Sequence, residues 1–279
     1  MNVKDWFQSS SLGRPRFDRL MSQCVTQAQM DSPRYRQWCE TELCQPFVYH
    51  RKDWEWAYIA EAIRQAGLLE EGRRGLGFGV GIEPLVAILA RHGLEILATD
   101  QDPTQASGEG WEFGKNYGGN LEWLNRNGLL APEVFERLVS FRIVDMNQIP
   151  VDLRDFDFCW SSCALEHLGS IAAGFRFIEN SLKCVKPGGI VVHTTEFNVS
   201  SNDHTVEEGA TVFYRRKDLE SFVRYMRLQG FRMRVNYFTG NEPKDTTNDQ
   251  PPYGNESHLK LQVGAYVITS VGLIIKKPK

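Results

Sequence analysis

A glycine-rich turn followed by an acidic strand end is the part of this chain best suited to binding a ligand. The turn holds Gly77, Gly79 and Gly81, and an apolar helix is predicted to begin directly after it at Pro84. Glycines let a ligand approach bare backbone, and the amino end of a helix offers free N–H groups. The next predicted strand ends at Asp100, whose carboxylate can hold the hydroxyls of a ribose. These features predict a βαβ unit that binds a nucleoside.

A second acid follows another apolar stretch further along the chain. The segment Phe141-Arg142-Ile143-Val144 has the character of a strand, and Asp145 and Met146 come directly after it. We interpret Asp145 as an acceptor for an exocyclic amine and Met146 as a side chain that packs on a purine face. The alternative is that Asp145 only caps a loop or a helix.

Two later strand ends carry further polar groups. One predicted strand ends at Ser161, and Glu166 and His167 follow it within a turn. Another begins after Pro187-Gly188-Gly189 and carries Glu196 near its end. Because the carboxyl ends of parallel strands meet at one edge of a sheet, we expect these groups to lie near the same ligand.

The elements that position these residues alternate between strand and helix from Arg74 onward. The pattern predicts strands at Arg74–Phe78, Glu95–Thr99, Val139–Val144, Asp157–Ser161, Gly189–Thr195, Arg232–Phe238 and Tyr266–Lys276, with helices in most of the intervals. Such alternation is typical of an α/β fold. We therefore predict a doubly wound, mostly parallel seven-stranded sheet with helices on both faces.

The first 66 residues have a different pattern and are predicted to form an N-terminal helical extension or cap. Helical patches are expected at Phe17–Met30 and Arg34–Leu43, and a stronger helix begins near Trp54. The main domain is then expected at 67–279, with insertions near 197–216 and 239–262. Two polar segments, 102–120 and 239–257, are candidate loops over a ligand site.

Composition narrows the class of protein. The chain has 279 residues, 32 Lys and Arg against 35 Asp and Glu, and a net charge of −3, so a nucleic-acid partner bound by overall charge is not expected. No apolar run reaches the length of about 18 residues that a membrane span needs. The first ten residues lack the apolar core of a signal peptide. The six cysteines form no CxxC pair, so we expect reduced thiols, no metal site and a cytoplasmic protein.

Taken in order, the motifs resemble those of class I S-adenosylmethionine-dependent methyltransferases of the small-molecule type. Residues 77–81 resemble the first motif, residues 156–168 the fourth, and residues 185–192 the turn and strand that follow the next helix. The resemblance covers roughly residues 54–276. It implies a Rossmann-like fold, S-adenosylmethionine as cofactor and S-adenosylhomocysteine as product.

The resemblance also implies which residues contact the cofactor. They are Gly77, Phe78, Gly79, Gly81, Asp100, Gln101, Asp145, Met146 and Ser161. One position departs from the family pattern, which has an acid two residues before the first loop glycine, where this chain has Gly75. Glu83 or backbone carbonyls are the candidates to replace that acid.

A hydroxyl acceptor needs a general base, and histidine has the most suitable pKa. Similar histidines in the family face the active site, so His167 is the first choice of catalytic residue, with Glu166 and Glu196 as further candidates. The alternative for His167 is a hydrogen bond to a neighbouring segment. On the strand that carries Glu196, His193 is expected to be a core residue.

We interpret the chain as an O-methyltransferase acting on a small molecule or a saccharide, with a homodimer possible and nucleic acid not expected as substrate. The alternatives are an N-methyltransferase acting on a small amine, or a binding subunit of methyltransferase fold that transfers nothing. A nicotinamide-dependent oxidoreductase is a further class with a similar glycine turn. The sequence does not identify the acceptor.

Overall fold

The computed structural model describes residues 12–102, 121–254 and 257–279. Its main feature is a nine-stranded sheet with helices on both faces. The strands of this sheet are β1 (Ser22–Cys24), β3 (Arg74–Phe78), β4 (Glu95–Asp100), β5 (Val139–Ile143), β6 (Phe156–Ser162), β8 (Val185–Asn198), β10 (Val235–Asn236), β12 (Leu261–Val263) and β13 (Tyr266–Lys276). The predicted α/β class is therefore confirmed, and all seven predicted strands are present.

The order across the sheet is β10-β1-β13-β8-β6-β3-β4-β5, with β12 paired to β13 beside this path. Strands β5, β4, β3, β6 and β8 are parallel to one another, whereas β13 is antiparallel to both β8 and β1. The sheet has nine strands instead of seven because β1 and β12 join it. The carboxyl ends of β3, β4 and β6 lie at one edge, which we call the carboxyl edge.

The helices are α1 (Gln27–Met30), α2 (Pro33–Trp38), α3 (Arg51–Gln65), α4 (Leu85–Arg91), α5 (Leu121–Leu124), α6 (Pro132–Leu138), α7 (Ile171–Cys184), α8 (Arg216–Leu228) and α9 (Pro243–Thr246). A π-helical turn at Cys39–Leu43 continues α2, and a 3-10 turn spans Leu165–His167. Short two-residue strands pair outside the main sheet: β2 (Tyr49–His50) with β11 (Ser257–His258), and β7 (Gly169–Ser170) with β9 (Glu208–Gly209).

The N-terminal segment is not wholly helical as expected. The patch predicted as a helix over Phe17–Met30 contains β1, and only Gln27–Met30 is helical. Strand β1 lies between β13 and β10, antiparallel to the first and parallel to the second. A strand of three residues is too short for its own periodicity to identify it, because its hydrogen bonds come entirely from distant partners.

Two apolar cores cover the two faces of the sheet, and alternation along β6 connects them. Phe158 and Trp160 belong to the core under α3 and α4, whereas Cys159 belongs to the core under α7 and α8. Side chains at successive strand positions point to opposite faces, so one strand contributes to both cores.

Within the described ranges, no helix has the length and apolar character that crossing a membrane requires. All six cysteines are free thiols, and Cys44 is the exposed one. The predicted lid at 239–257 contains α9 and the first residue of β11, while 102–120 lies almost wholly outside the described residues.

Candidate functional site

The glycine turn has the backbone geometry that the sequence predicts. Gly79 and Gly81 adopt left-handed conformations with φ of 58° and 50°, which side chains rarely adopt. A Cβ at Gly79 would lie 2.8 Å from the Cβ of Ala164 and 3.2 Å from the Sδ of Met146. The turn is therefore packed closely against the segments that follow β5 and β6, and Met146 lies beside it.

Asp100 ends β4 and is bonded to the glycine turn. One of its carboxylate oxygens accepts the Gly81 N–H at 2.8 Å, and the other accepts the Gln101 N–H at 2.8 Å. A carboxylate oxygen can accept more than one hydrogen bond. This arrangement suits the ribose contact expected of Asp100, with the exposed Gln101 next to it.

The side chains of Asp145 and Phe78, which are also predicted to contact the cofactor, already form contacts within the protein. Asp145 accepts hydrogen bonds from Asn147 N and Gln148 Nε2, which is the loop-cap arrangement. The Phe78 ring packs edge-on against Phe177 in the core, 5.2 Å between centroids. Only the backbone of Phe78 is thus available to a ligand in this geometry.

Ser161 is part of a buried polar group. Its hydroxyl lies 2.8 Å from Nδ1 of His193, whose Nε2 lies 3.0 Å from the Ser181 hydroxyl. Burial lowers the pKa of His193 to about 3, so this imidazole is neutral, as a core residue should be. The Ser161 hydroxyl is therefore occupied by its hydrogen bond to His193, and only the Ser161 backbone is available to contact a cofactor.

The three candidate catalytic residues differ in their surroundings. Glu166 is fully buried, and its Oε2 accepts a hydrogen bond from Thr195 Oγ1 at 3.0 Å. Its Oε1 is buried and has no hydrogen-bond partner within the described residues. Burial raises the pKa of the Glu166 carboxyl, and the nearby Glu196 also raises it.

His167 and Glu196 already have strong partners. Nδ1 of His167 lies 2.9 Å from the Ala210 carbonyl oxygen and 3.2 Å from the Thr211 hydroxyl. Glu196 Oε1 accepts a hydrogen bond from Arg51 Nη2 at 2.6 Å. Of the three candidates, Glu166 is the one that offers an unused buried oxygen.

A buried charged network joins the start of α3 to β6, β8 and β13. Arg51 donates to Glu55 Oε1 at 3.1 Å, and its Nη1 lies 3.5 Å from Cys163 Sγ. Glu55 Oε2 accepts hydrogen bonds from Ser162 and Thr194 at 3.2 Å each. Burial opposes the charge of Glu55, but Lys52 and Arg51 outweigh it, and the pKa of this carboxyl is below its ordinary value.

One contact of this network has a local signal in the sequence. Arg51 and Glu55 are one helical turn apart and so share a face, which is a local signal. Glu196 is 145 positions away from Arg51, and nothing in the local sequence indicates that they meet. Arg51 Nε is also buried without a partner in the part of the chain that the structure describes.

Glu83 is the second buried acid near the glycine turn. Its Oε1 accepts the Trp160 indole N–H at 2.8 Å, and burial raises the pKa of its carboxyl to about 8. Among the described residues Glu83 forms no ion pair. Gly75, where the family has an acid, has no room for a side chain, because a Cβ there would lie 2.5 Å from the Phe158 ring and 2.9 Å from Ile96 Cδ1.

His50 and His258 form a stacked pair at the amino end of α3. His258 Nδ1 is 2.6 Å from Asp249 Oδ2, and the His258 ring stacks on His50 with 4.4 Å between centroids. The polar partner of His258 is thus an acid of the same chain. Burial, together with His258 and Arg51, lowers the pKa of His50 to about 4.

One group of potential metal ligands occurs in the described ranges. Ligand atoms of Cys163, Glu166 and Glu196 lie within 4.8 Å of one another. The Arg51 guanidinium already contacts two of these three residues. A second cation there would be opposed by that charge, so the cluster is better understood as part of the network around Arg51.

Comparison with known proteins places this geometry in a family. Residues 76–193 match a family described as "Methyltransferase domain". This segment contains the glycine turn, Asp100, Asp145, Ser161, Glu166 and His167. No curated protein matches the chain.

Several solved structures are similar in fold. They include an S-adenosylmethionine-dependent methyltransferase from Mesorhizobium loti (14% identity, 77% of this chain and 96% of that chain, TM-score 0.46). A putative sarcosine dimethylglycine methyltransferase from Galdieria sulphuraria has 17% identity over 81% of this chain and 65% of that chain, with a TM-score of 0.41. The [4+2]-cyclase SpnF has 19% identity over 59% of this chain and 57% of that chain, also with a TM-score of 0.41.

The chain thus spans less than two thirds of the length of the Galdieria protein and of the cyclase. At these identities and TM-scores the structures carry no conclusion about activity or substrate. The family match confirms the resemblance given by the sequence motifs, together with S-adenosylmethionine as the cofactor. The segment from residue 76 to residue 193 is a methyltransferase domain of the class I, S-adenosylmethionine-dependent, Rossmann-like kind.

Proposed function

We propose that the protein transfers the methyl group of S-adenosylmethionine to a hydroxyl of a small molecule, with a saccharide as the favoured class of acceptor. The cofactor supplies an activated methyl group on a sulfonium, so the protein has to position the acceptor and receive its proton. The observation that carries the proposal is the unpartnered, buried Oε1 of Glu166 at the carboxyl edge.

The cofactor would be held at the glycine turn. Asp100 would accept hydrogen bonds from the ribose, and the backbone of Gly77, Gly79 and Gly81 would line the ligand. Met146 would pack on the adenine, with Asp145 and Gln101 at its rim. The close approach of Gly79 to Met146 and Ala164 supports this arrangement, because it places Met146 directly beside the glycine turn.

Glu83 would take the place of the acid that is absent at Gly75. The methionine part of the cofactor carries an ammonium group, and a buried carboxyl without an ion pair is a suitable partner for it. The raised pKa of Glu83 reflects a charge that is costly to bury alone. A bound cation would reduce this cost and favour the ionised form.

The acceptor would lie between Glu166 and the network around Arg51. Glu166 Oε1 is an unused acceptor, and Arg51 Nε is an unused donor. A hydroxyl can donate one hydrogen bond and accept others, so one hydroxyl group can satisfy both kinds of atom. A hydroxyl must lose its proton to a base when it is methylated, whereas a neutral amine, the form that attacks the methyl group, needs less help from a base. This difference favours oxygen over nitrogen as the methylated atom.

In this proposal Glu166 receives the acceptor proton. A raised pKa brings a carboxyl closer to working pH, where it is a more effective general base. Thr195 fixes Oε2 and leaves Oε1 for the substrate. His167 would then position the adjoining segment through its contacts with Ala210 and Thr211.

The proposal is tested by incubating the protein with S-adenosylmethionine and a panel of saccharides, phenols and small amines. Release of S-adenosylhomocysteine identifies a substrate, and NMR of the product identifies the methylated atom. We expect a methyl ether, and Glu166→Gln should abolish most of the turnover. A methylated amine would contradict the hydroxyl proposal, and cofactor binding without turnover on any compound would favour the binding-subunit alternative.

The remaining expectations from sequence stay predictions. They are the division at residue 66 into an extension and a main domain, a homodimer, and a cytoplasmic location.

A further inference from the structure

A groove lined by arginines lies beside β10, away from the carboxyl edge. It consists of two adjoining depressions of about 750 Å³ and about 460 Å³. Arg227 and Arg234 line both depressions, Arg232 lines the larger one and Arg224 lines the smaller one. We call this feature the arginine groove.

The sequence spacing explains why these four side chains share a surface. Arg224 and Arg227 are three positions apart on α8, and residues at this spacing lie on one helix face. The buried face formed by Leu219, Phe222, Val223 and Met226 adjoins it, and Val223 also lines the smaller depression. Arg232 and Arg234 are two positions apart in the segment that leads into β10, and both are exposed. Side chains at this spacing in extended chain point the same way.

No acid among the described residues balances the charge of the groove. None of the four arginines has an ion pair with a described residue, and the one carboxylate in the lining, Glu220, is 2.8 Å from Arg216. Four like charges on one surface repel each other, and they occur in a chain whose net charge is −3. This concentration of unpaired positive charge indicates an anionic ligand.

Each depression also contains an aromatic ring. Phe231 lines the larger one and is half-buried. Tyr237 lines the smaller one, but its ring already stacks on Phe197 and lies under the Arg216 guanidinium. Guanidinium groups match the geometry of phosphates, and an aromatic ring gives a base a surface for stacking. An acidic peptide would use the charges but has no need of the Phe231 ring. Four arginines with this ring along one groove suit a strand of linked nucleotides.

The groove is separate from the methyltransferase site. Its lining includes Ser22 at the start of β1 and Ile274 near the end of the antiparallel β13, which pair with each other across the sheet edge. Strands β13, β8 and β6 lie between β1 and β3 in the sheet, so the groove is several strands away from the glycine turn that follows β3. A ligand in the groove would therefore leave the cofactor site open.

From this combination we infer that the arginine groove binds single-stranded nucleic acid through its phosphates and bases, independently of the cofactor. The main alternative is that Arg232 and Arg234 only protect the edge strand β10 from pairing with another chain, as charged residues at sheet edges do. The two possibilities differ in whether an oligonucleotide binds at all.

The test is fluorescence anisotropy of a labelled oligouridylate with the full chain, at low and at physiological salt. The variant is Arg232→Ala with Arg234→Ala, which leaves Arg227 and its hydrogen bond to the Met233 carbonyl in place. We expect its affinity to fall by about tenfold or more. The slope of log affinity against log salt should fall by about 1.4, or about 0.7 for each lost phosphate contact.

The matched control is Arg126→Ala with Arg137→Ala, two exposed arginines near the opposite end of the sheet. This control should bind the oligouridylate as the wild type does, and both double variants should keep wild-type binding of S-adenosylhomocysteine. Absence of binding, an equal loss in the control, or equal competition by polyglutamate would overturn the inference. Failure here leaves the methyl-transfer proposal intact, because cofactor binding is measured separately.

Discussion

Glu83 is the buried acid that we propose as the partner of the cofactor's ammonium group. It is buried at the end of the glycine turn, accepts a hydrogen bond from Trp160, and forms no ion pair with a described residue, although the charge of Lys52 partly offsets the rise in its pKa. Gly75 cannot carry the family acid, because Phe158 and Ile96 fill the space. Glu83 lies a few positions after Gly75 and is therefore a suitable replacement for the acid that the family has at the position of Gly75.

The pH dependence of stability tests the state of Glu83. Burial raises the pKa of its carboxyl from 4.5 to about 8, so the unfolded chain releases this proton at lower pH than the folded chain does. The stability that Glu83 contributes is therefore fully present below about pH 4.5 and is lost as pH rises through about 8. Within that window, the free energy of unfolding should fall by about 1.4 kcal/mol per pH unit relative to Glu83→Gln.

Urea unfolding of the ligand-free wild type and Glu83→Gln, across this pH range, measures the difference. Glu136→Gln, an exposed acid on α6, is the control and should follow the wild type. If the wild type and Glu83→Gln keep a constant difference over the range, the carboxyl is ionised throughout and a nearby cation has been missed.

Glu166 and His167 are neighbours with different expected roles. Glu166→Gln should lower kcat by about a hundredfold, the lower range for loss of a general base, and leave the affinity for S-adenosylhomocysteine unchanged. His167→Ala should lower kcat less, since its imidazole is bonded to Ala210 and Thr211. Steady-state kinetics on the acceptor found by the panel decide between them. A larger loss in His167→Ala would restore histidine as the base.

At the scale of elements, helix α3 holds the N-terminal segment on the sheet. Glu61 on α3 is fully buried and accepts hydrogen bonds from Trp38 at 2.7 Å and from Arg34 at 2.9 Å. Burial alone would raise the pKa of Glu61, but hydrogen bonds from Arg64 and Arg34 outweigh it and lower the pKa to about 2. One carboxylate therefore joins α2 to α3.

Glu61→Ala should reduce the free energy of unfolding by about 3 kcal/mol, because it leaves buried donors without an acceptor. The contribution of Glu61 is present above about pH 4.5 and is lost as pH falls through about 2. The variant and the wild type should thus become more alike in acid. Chemical unfolding measures this, with the exposed Glu71→Ala as control. Equal stability near neutral pH would contradict a role for Glu61 in joining the helices.

Elements with their own periodicity could be predicted from sequence. The strands at Arg74–Phe78 and Tyr266–Lys276 have the predicted limits, and α8 begins and ends one residue before the predicted helix Lys217–Gln229. Strand β1 could not be predicted, because three residues give no pattern and its place in the sheet depends on β10 and β13. The two-residue strands β2 and β11 could not be predicted for the same reason.

At the scale of the whole molecule, sequence reasoning found the cofactor side better than the acceptor side. The glycine turn and Asp100 are close in the chain, and local motifs describe them well. The acceptor side depends on contacts such as Arg51 with Glu196, or Arg51 with Ser270 over 219 positions. Charges that meet across such distances leave no local signal, because any one of them alone has the pattern of a solvated surface residue.

The molecule also separates its charges between two places. Acids and bases form ion pairs in the network around Arg51, whereas the arginines of the groove beside β10 form no ion pair with a described residue. A chain with nearly balanced composition can therefore present a strongly basic surface. The near-neutral composition correctly argues against binding through overall charge, but it carries no information about where individual charges lie.

Isothermal titration of S-adenosylhomocysteine into the wild type, Asp100→Ala and Glu83→Gln is the most direct test of the central claim, that the glycine turn, Asp100 and Glu83 hold the cofactor. We predict one site per chain in the wild type. Asp100→Ala should lose about a hundredfold or more in affinity and Glu83→Gln about tenfold, as expected for the loss of hydrogen bonds to charged groups. Wild-type affinity in both variants, or binding of a nicotinamide dinucleotide in place of S-adenosylhomocysteine, would contradict it.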